Sequence, residues 1–406
     1  MLLRLTLARS LAWLLLIGGW VGLGSFAIVL APNLHAAFGV VAAWLLALGV
    51  AATVATRDAL RPATRRGALV VGGLVTGVAL QATVRGGGMG ALLVAVLAWA
   101  VLTALASGVV RGLRFAQRAP PGAPIGAASL GATAAALLLL DLGDLGGLAV
   151  RLGGAVIVAT VALAALQPGD GSAAPASRCR AGLFDCSLPA WPAGAWHDVQ
   201  QWPTLLAGVA MLPLMATLPL MSEWCRARGV EPDAMVVLHL GAMFGPPLLL
   251  QRAVASWSLR TLSTVCAACL ASGALAALAI PAPSGLLALA AAQGAAWGLA
   301  WLGQLWAPQR RSRAGTSPLR PALGYAALTV GFGFVVASLG IEGVVLTHAA
   351  LGVLAAIAWL LAVVVRARGR DVEKDGGAVA ARPASTGSAG AALNDLPTTR
   401  SLPSSR

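Results

Sequence analysis

The chain has 406 residues, a net charge of +14 and 58% hydrophobic residues. Only 10% of it is charged, against about a quarter in ordinary soluble domains, and mean hydropathy is +0.84, so a soluble globule is excluded. The basic excess does not point to nucleic acid, and no nucleic-acid partner is expected: apart from Lys374 the basic residues are all arginine, placed in connections between apolar runs.

Apolar runs of about 18–22 residues recur along the chain, each long enough to cross a bilayer. They predict an all-α polytopic membrane protein with the lipid bilayer as its first partner. The twelve expected spans are 10–30, 36–56, 67–84, 89–110, 125–141, 148–166, 202–221, 234–251, 261–280, 285–306, 322–341 and 344–365. The first follows Arg4 and Arg9 in the manner of a signal peptide, but it is long and lacks a small-residue cleavage site, so it reads as an uncleaved helix.

Charge sets the orientation. With the N-terminus inside, one side collects Arg4, Arg9, Arg57, Arg61, Arg65, Arg66, Arg111, Arg114, Arg118, Arg178, Arg180, Arg252, Arg260, Arg310, Arg311, Arg313, Arg320, Arg366, Arg368 and Arg370. The other has Arg85, Arg226 and Arg228, with Arg151 just inside a span. Twenty against four predicts that both termini are cytoplasmic. The organisation expected is an N-terminal six-helix half (1–166), a cytoplasmic linker (167–201) rich in Pro, Gly, Ala and Ser, a C-terminal six-helix half (202–366), and a disordered cytoplasmic tail (367–406).

Six plus six spans with cytoplasmic ends resemble the major facilitator superfamily, whose halves are built from inverted three-helix repeats. The connection TRDALRPATRRG is similar to that superfamily's Asp/Arg-rich loop between its second and third helices, through Asp58, Arg61, Arg65 and Arg66. The glycines usual before the aspartate are missing.

Candidate chemistry concentrates in spans seven and eight. Five of the seven methionines lie there, Met211, Met215, Met221, Met235 and Met243, together with His239 and Cys225. Met211/Met215 and His239/Met243 are each four residues apart, which stacks each pair on one helix face. At 1.5 Å per residue, Met215 and His239 lie about 10 and 8 Å below the outer surface, and Met211 and Met243 about 15 Å down. Facing helices would thus form two layers of thioether and imidazole, donors suited to Cu(I). Methionines also fill gaps in apolar cores, and that reading competes. Pro213, Pro219, Pro246 and Pro247 predict kinks that free backbone carbonyls in these spans.

His239 and His348 are the histidines within spans, where an ionisable group is costly and is a ligand, a proton-coupling residue or a satisfied structural group. His35 and His197 lie in connections. Cys225 sits at the outer end of span seven, where it would be the first soft ligand met by copper. Cys266 and Cys269 form Cys-Ala-Ala-Cys inside an apolar helix and read first as small packing residues. Cys179 and Cys186 face a reducing cytoplasm in this topology, where a stable disulfide is not expected. Asp141, Asp144, Glu223 and Glu342 all sit at span ends. No Walker-type loop or Ser/His/Asp arrangement is present, and no enzyme activity is expected.

Met-x-x-x-Met in span seven and His-x-x-x-Met in span eight, MLPLM and HLGAM here, are similar to the CcoA-type copper importers of the major facilitator superfamily. That resemblance implies Cu(I) import across the bacterial inner membrane by alternating access, supplying assembly of cbb3-type cytochrome c oxidase. It implies Met211, Met215, His239, Met243 and Cys225 as metal-contacting residues, a cytoplasmic copper chaperone as acceptor, and no resident cofactor, copper being the cargo. A proton-coupled drug or metabolite transporter of the same fold, with His239 as coupling residue, is the alternative. A membrane redox protein using Cys266 and Cys269, or haem between His239 and His348, is the third reading.

Overall fold

The computed structural model describes residues 2–57, 62–117, 123–140, 144–167, 206–207, 232–281, 283–306 and 319–380. Among them every regular element is helical. The helices are α1 (Leu2–Ile17), α2 (Leu23–Leu30), α3 (Leu34–Arg57), α4 (Pro62–Ala82), α5 (Gly88–Gln117), α6 (Ala123–Leu138), α7 (Leu145–Leu166), α8 (Pro232–Ser256), α9 (Leu259–Ala279), α10 (Ser284–Trp306), α11 (Leu319–Leu339) and α12 (Ile341–Ala380). A π turn, Gly18–Gly22, joins α1 to α2 as one span, and a second, Thr83–Gly87, joins α4 to α5. Every expected span but the seventh coincides with one of these helices; 202–221 and the 167–201 linker lie almost wholly outside the described residues. Among the described residues eight stretches are long and apolar enough to cross a membrane, one of them, Ala63–Val110, running through both α4 and α5.

Local chemistry explains the ends. The Ala36 N–H donates to Asn33 Oδ1 (2.9 Å) before α3, the Gly147 N–H to Asp144 Oδ1 (3.0 Å) before α7, and the Thr261 N–H to Ser258 Oγ (3.1 Å) before α9, each satisfying a donor that a helix start leaves open. Arg151 closes the other end of a neighbour, donating to the carbonyls of Leu138 (3.3 Å) and Leu140 (2.6 Å) at the end of α6. Hydroxyls inside the spans bond back to the carbonyl four residues earlier, as at Ser25, Thr76, Thr83, Thr103 and Ser107, so none needs water in the hydrocarbon.

Two boundaries differ most from expectation. The first span begins at Leu2 rather than residue 10, and Arg9, assigned to a connection, is buried within α1 at 3% exposure. The leucines at 2, 3, 5 and 7 are good helix formers, and propagating a helix costs less than starting one deeper. The expected tail at 367 is also overtaken, because α12 continues to Ala380.

The packing repeats between the halves. Matching α3–α7 in order to α8–α12, α3 packs on α5 as α8 does on α10, and α4 on α5 as α9 does on α10. α4 also packs on α7, and Gly352 of α12 lies against Ala274 and Leu270 of α9, the matching pair. The two sets meet through α3 with α11 and α6 with α8, which the same matching interchanges.

Candidate functional site

The amphipathic order of α8 decides which of its residues reach the interior. Met235, Val236, His239, Leu240, Met243, Phe244 and Pro247 are buried at three- and four-residue intervals, while Val237, Leu238, Leu248 and Leu249 are exposed. The interior stripe faces α10, whose Gly294 and Gly298 are four residues apart. A Cβ on Gly294 would fall 2.5 Å from the His239 carbonyl oxygen, and one on Gly298 would overlap the Met243 carbonyl oxygen. Only hydrogen at those positions lets the two backbones touch. Pro247 has no N–H to return to Met243, so the Met243 carbonyl loses its usual helix partner at the point of that contact.

His239 is fully buried. Its Nδ1 lies 2.9 Å from the carbonyl oxygen of Ala290 on α10. A carbonyl only accepts, which assigns the proton to Nδ1 and leaves a lone pair on Nε2. That Nε2 has no hydrogen-bond partner among the described residues, nor have Gln293 Oε1, Trp297 Nε1 and Trp301 Nε1, all buried. Four polar atoms of α8 and α10 are therefore withdrawn from lipid without a partner in the described chain.

An aromatic cluster adjoins them across the two halves. Trp297 and Trp301 stack, with centroids 6.0 Å apart and planes 4° from parallel. Trp13 of α1 stands edge-on to both, at 6.1 and 5.4 Å, and to Phe244 of α8 at 5.5 Å. Edge-to-face contacts place the positive ring edge on the negative ring face. A second tryptophan pair, Trp20 and Trp44 at 6.0 Å, occupies the first half, each with a buried Nε1 unpartnered among the described residues. Trp99 Nε1 instead donates to Leu15 O (2.7 Å), tying α5 to α1 just before its π turn.

The residues expected from sequence are thus partly placed. His239 and Met243 share the buried face of α8, one turn apart. Met211, Met215 and Cys225 lie outside the described residues, as do Cys179, Cys186, Pro213 and Pro219. Cys266 is buried with Sγ donating to Ala296 O (3.5 Å), and Cys269 is half-buried; both are free thiols. His348 donates from Nδ1 to Val344 O within its own helix (2.6 Å) and stands beside Phe332 of α11, whereas His239 is bonded to α10. Among the described residues no group of three His, Cys, Asp or Glu side chains is arranged to hold a metal ion. Gln293, Trp13, Phe244, Trp297 and Trp301 were not singled out from sequence. The signals were present: an amide in the middle of an apolar span, and Trp-x-x-x-Trp interleaved with Gly-x-x-x-Gly in α10.

No family model matches the sequence, and no curated protein matches it. Solved structures do match. The crystal structure of the nucleoside transporter NupG aligns with a TM-score of 0.58 at 16% identity, covering 89% of this chain and 98% of that one. A structure of a single-residue variant of NupG aligns with a TM-score of 0.54 at 15% identity, covering 89% and 99%. The chain is a multi-pass membrane protein that shares the fold of these structures.

Proposed function

We propose that this protein is a transporter working by alternating access on a small polar organic solute, in the bacterial inner membrane with both termini cytoplasmic. The observation that carries the reading is the set of four buried polar atoms, His239 Nε2, Gln293 Oε1, Trp297 Nε1 and Trp301 Nε1, beside an aromatic cluster contributed by both halves. Each unpartnered buried group costs about 1–3 kcal/mol, and a solute offering complementary donors and acceptors between the halves recovers that cost on binding. Halves that meet through a pseudo-symmetric pair of contacts can rock about such a site. The similar solved structures are of a nucleoside transporter, so nucleosides are the first class to assay. His239, with one nitrogen fixed and the other open, is the proton-coupling residue of this reading.

Cu(I) import is the second reading, favoured by one specific feature. A metal-ligating histidine characteristically donates its other ring N–H to a carbonyl, as His239 does to Ala290, and Met243 follows it by one turn. In that reading Met211, Met215 and Cys225 complete the soft path, and copper passes to a cytoplasmic chaperone and to oxidase assembly. The two are separated by screening purified protein for thermal stabilisation by nucleosides, amino acids, sugars and Cu(I). Stabilisation by an organic solute, lost in Gln293→Leu, supports the proposal; stabilisation by Cu(I) alone, lost in Met243→Leu, overturns it.

A further inference from the structure

The hairpin of α4 and α5 carries a recess that solute transport does not use. Leu74, Val75, Val78 and Ala82 of α4 and Ala91 and Val94 of α5 line it, and its volume is about 430 Å³. Short side chains create it: Ala82 and Ala91 leave space near the turn, while Val78 (67% exposed), Leu74 and Val94 stand along its edges. From Leu74 to Ala82 it extends about 12 Å along the span. Every lining side chain is hydrocarbon, so a polar solute would find no partner there.

Its end is chemically different. Three residues beyond Ala82, Arg85 stands exposed in the π turn that closes the hairpin, where Arg85 leaves helical geometry (φ −94°, ψ 15°) and Gly86 takes φ 108°. A side chain at Gly86 would be strained at that angle, so the sharp reversal holds Arg85 within one helical turn of the recess. No acidic residue occurs between Asp58 and Asp141, so the hairpin has no carboxylate to meet this cation. By the charge asymmetry, Arg85 is also one of few arginines on its side of the membrane.

We infer that this recess is a binding site for an anionic phospholipid, one acyl chain lying between Leu74 and Val94 and the headgroup phosphate on the Arg85 guanidinium. An apolar slot opening sideways beneath a lone cation matches the two ends of such a lipid. The test is native mass spectrometry of the full chain in detergent with added phosphatidylglycerol or phosphatidylcholine. Wild type is expected to retain phosphatidylglycerol about five-fold better. Arg85→Gln should bring the two lipids to parity, and Val78→Trp, which fills the recess from an exposed position, should lower retention of both with the thermal midpoint unchanged. Phosphatidylglycerol retained equally by wild type and Arg85→Gln overturns the assignment. So does a dimer that Val78→Trp abolishes, which would give the recess to a second copy of the chain.

Discussion

The first and last spans are both strongly apolar: the most apolar 18-residue windows of Leu3–Leu30 and Glu342–Val365 have mean hydropathies of 2.0 and 2.4, yet 78% of the first window is buried and 22% of the second. The difference lies in shape. The first span presents Gly18, Gly19 and Gly22 to Trp99, Trp44 and Leu152; a Cβ on Gly19 would come within 2.9 Å of Trp99 Nε1 and 3.1 Å of the Trp44 ring. It adds Trp13 and Trp20 as large flat surfaces. The last span offers Val353, Leu354, Ile357, Leu360 and Leu361 to lipid and touches α9 at Gly352 and through the Trp359 Nε1 bond to Thr264 Oγ1 (2.8 Å). Hydropathy puts a helix in the membrane; glycine and tryptophan decide whether it sits at the centre.

Substitutions can sharpen this contrast or break it. Trp13→Ala removes the ring that bridges the halves and should have the largest effect, about 3–5 kcal/mol, read as a fall in thermal midpoint with loss of transport. Gly298→Val sets a side chain against the Met243 carbonyl and should cost about 1–3 kcal/mol, with transport lost more completely than stability because α8 and α10 carry the proposed site. Leu361→Ala on the lipid-facing side should change stability by no more than about 0.5 kcal/mol and leave uptake intact. A Leu361 effect as large as that of Trp13 would show that exposure does not distinguish the spans.

Much of the fold was legible from hydropathy alone, because span length and polar connections are composition effects. The burial of Arg9 was not, since window averages smooth over one charge in a helix that begins early. The extension of α12 was missed because hydropathy falls after residue 365 and charged sequence reads as tail. At the candidate site, His239 and Met243 were singled out from their spacing and their cost within a membrane, and both lie on the buried face of α8. Gln293, Trp297 and Trp301 were not, because a mid-span amide and a tryptophan pair acquire meaning only when α8 and α10 are seen to touch at Gly294 and Gly298.

The most direct test of the central claim is uptake of radiolabelled uridine by proteoliposomes holding wild type, His239→Leu or Gln293→Leu. The account predicts saturable uptake by wild type and a loss of at least about ten-fold in each variant, the effect of removing roughly 1.4 kcal/mol or more of binding, with both variants still folded. Uptake equal in all three would contradict it. So would a wild-type protein that moves Cu(I) and no organic solute, and that loses copper uptake in Met243→Leu.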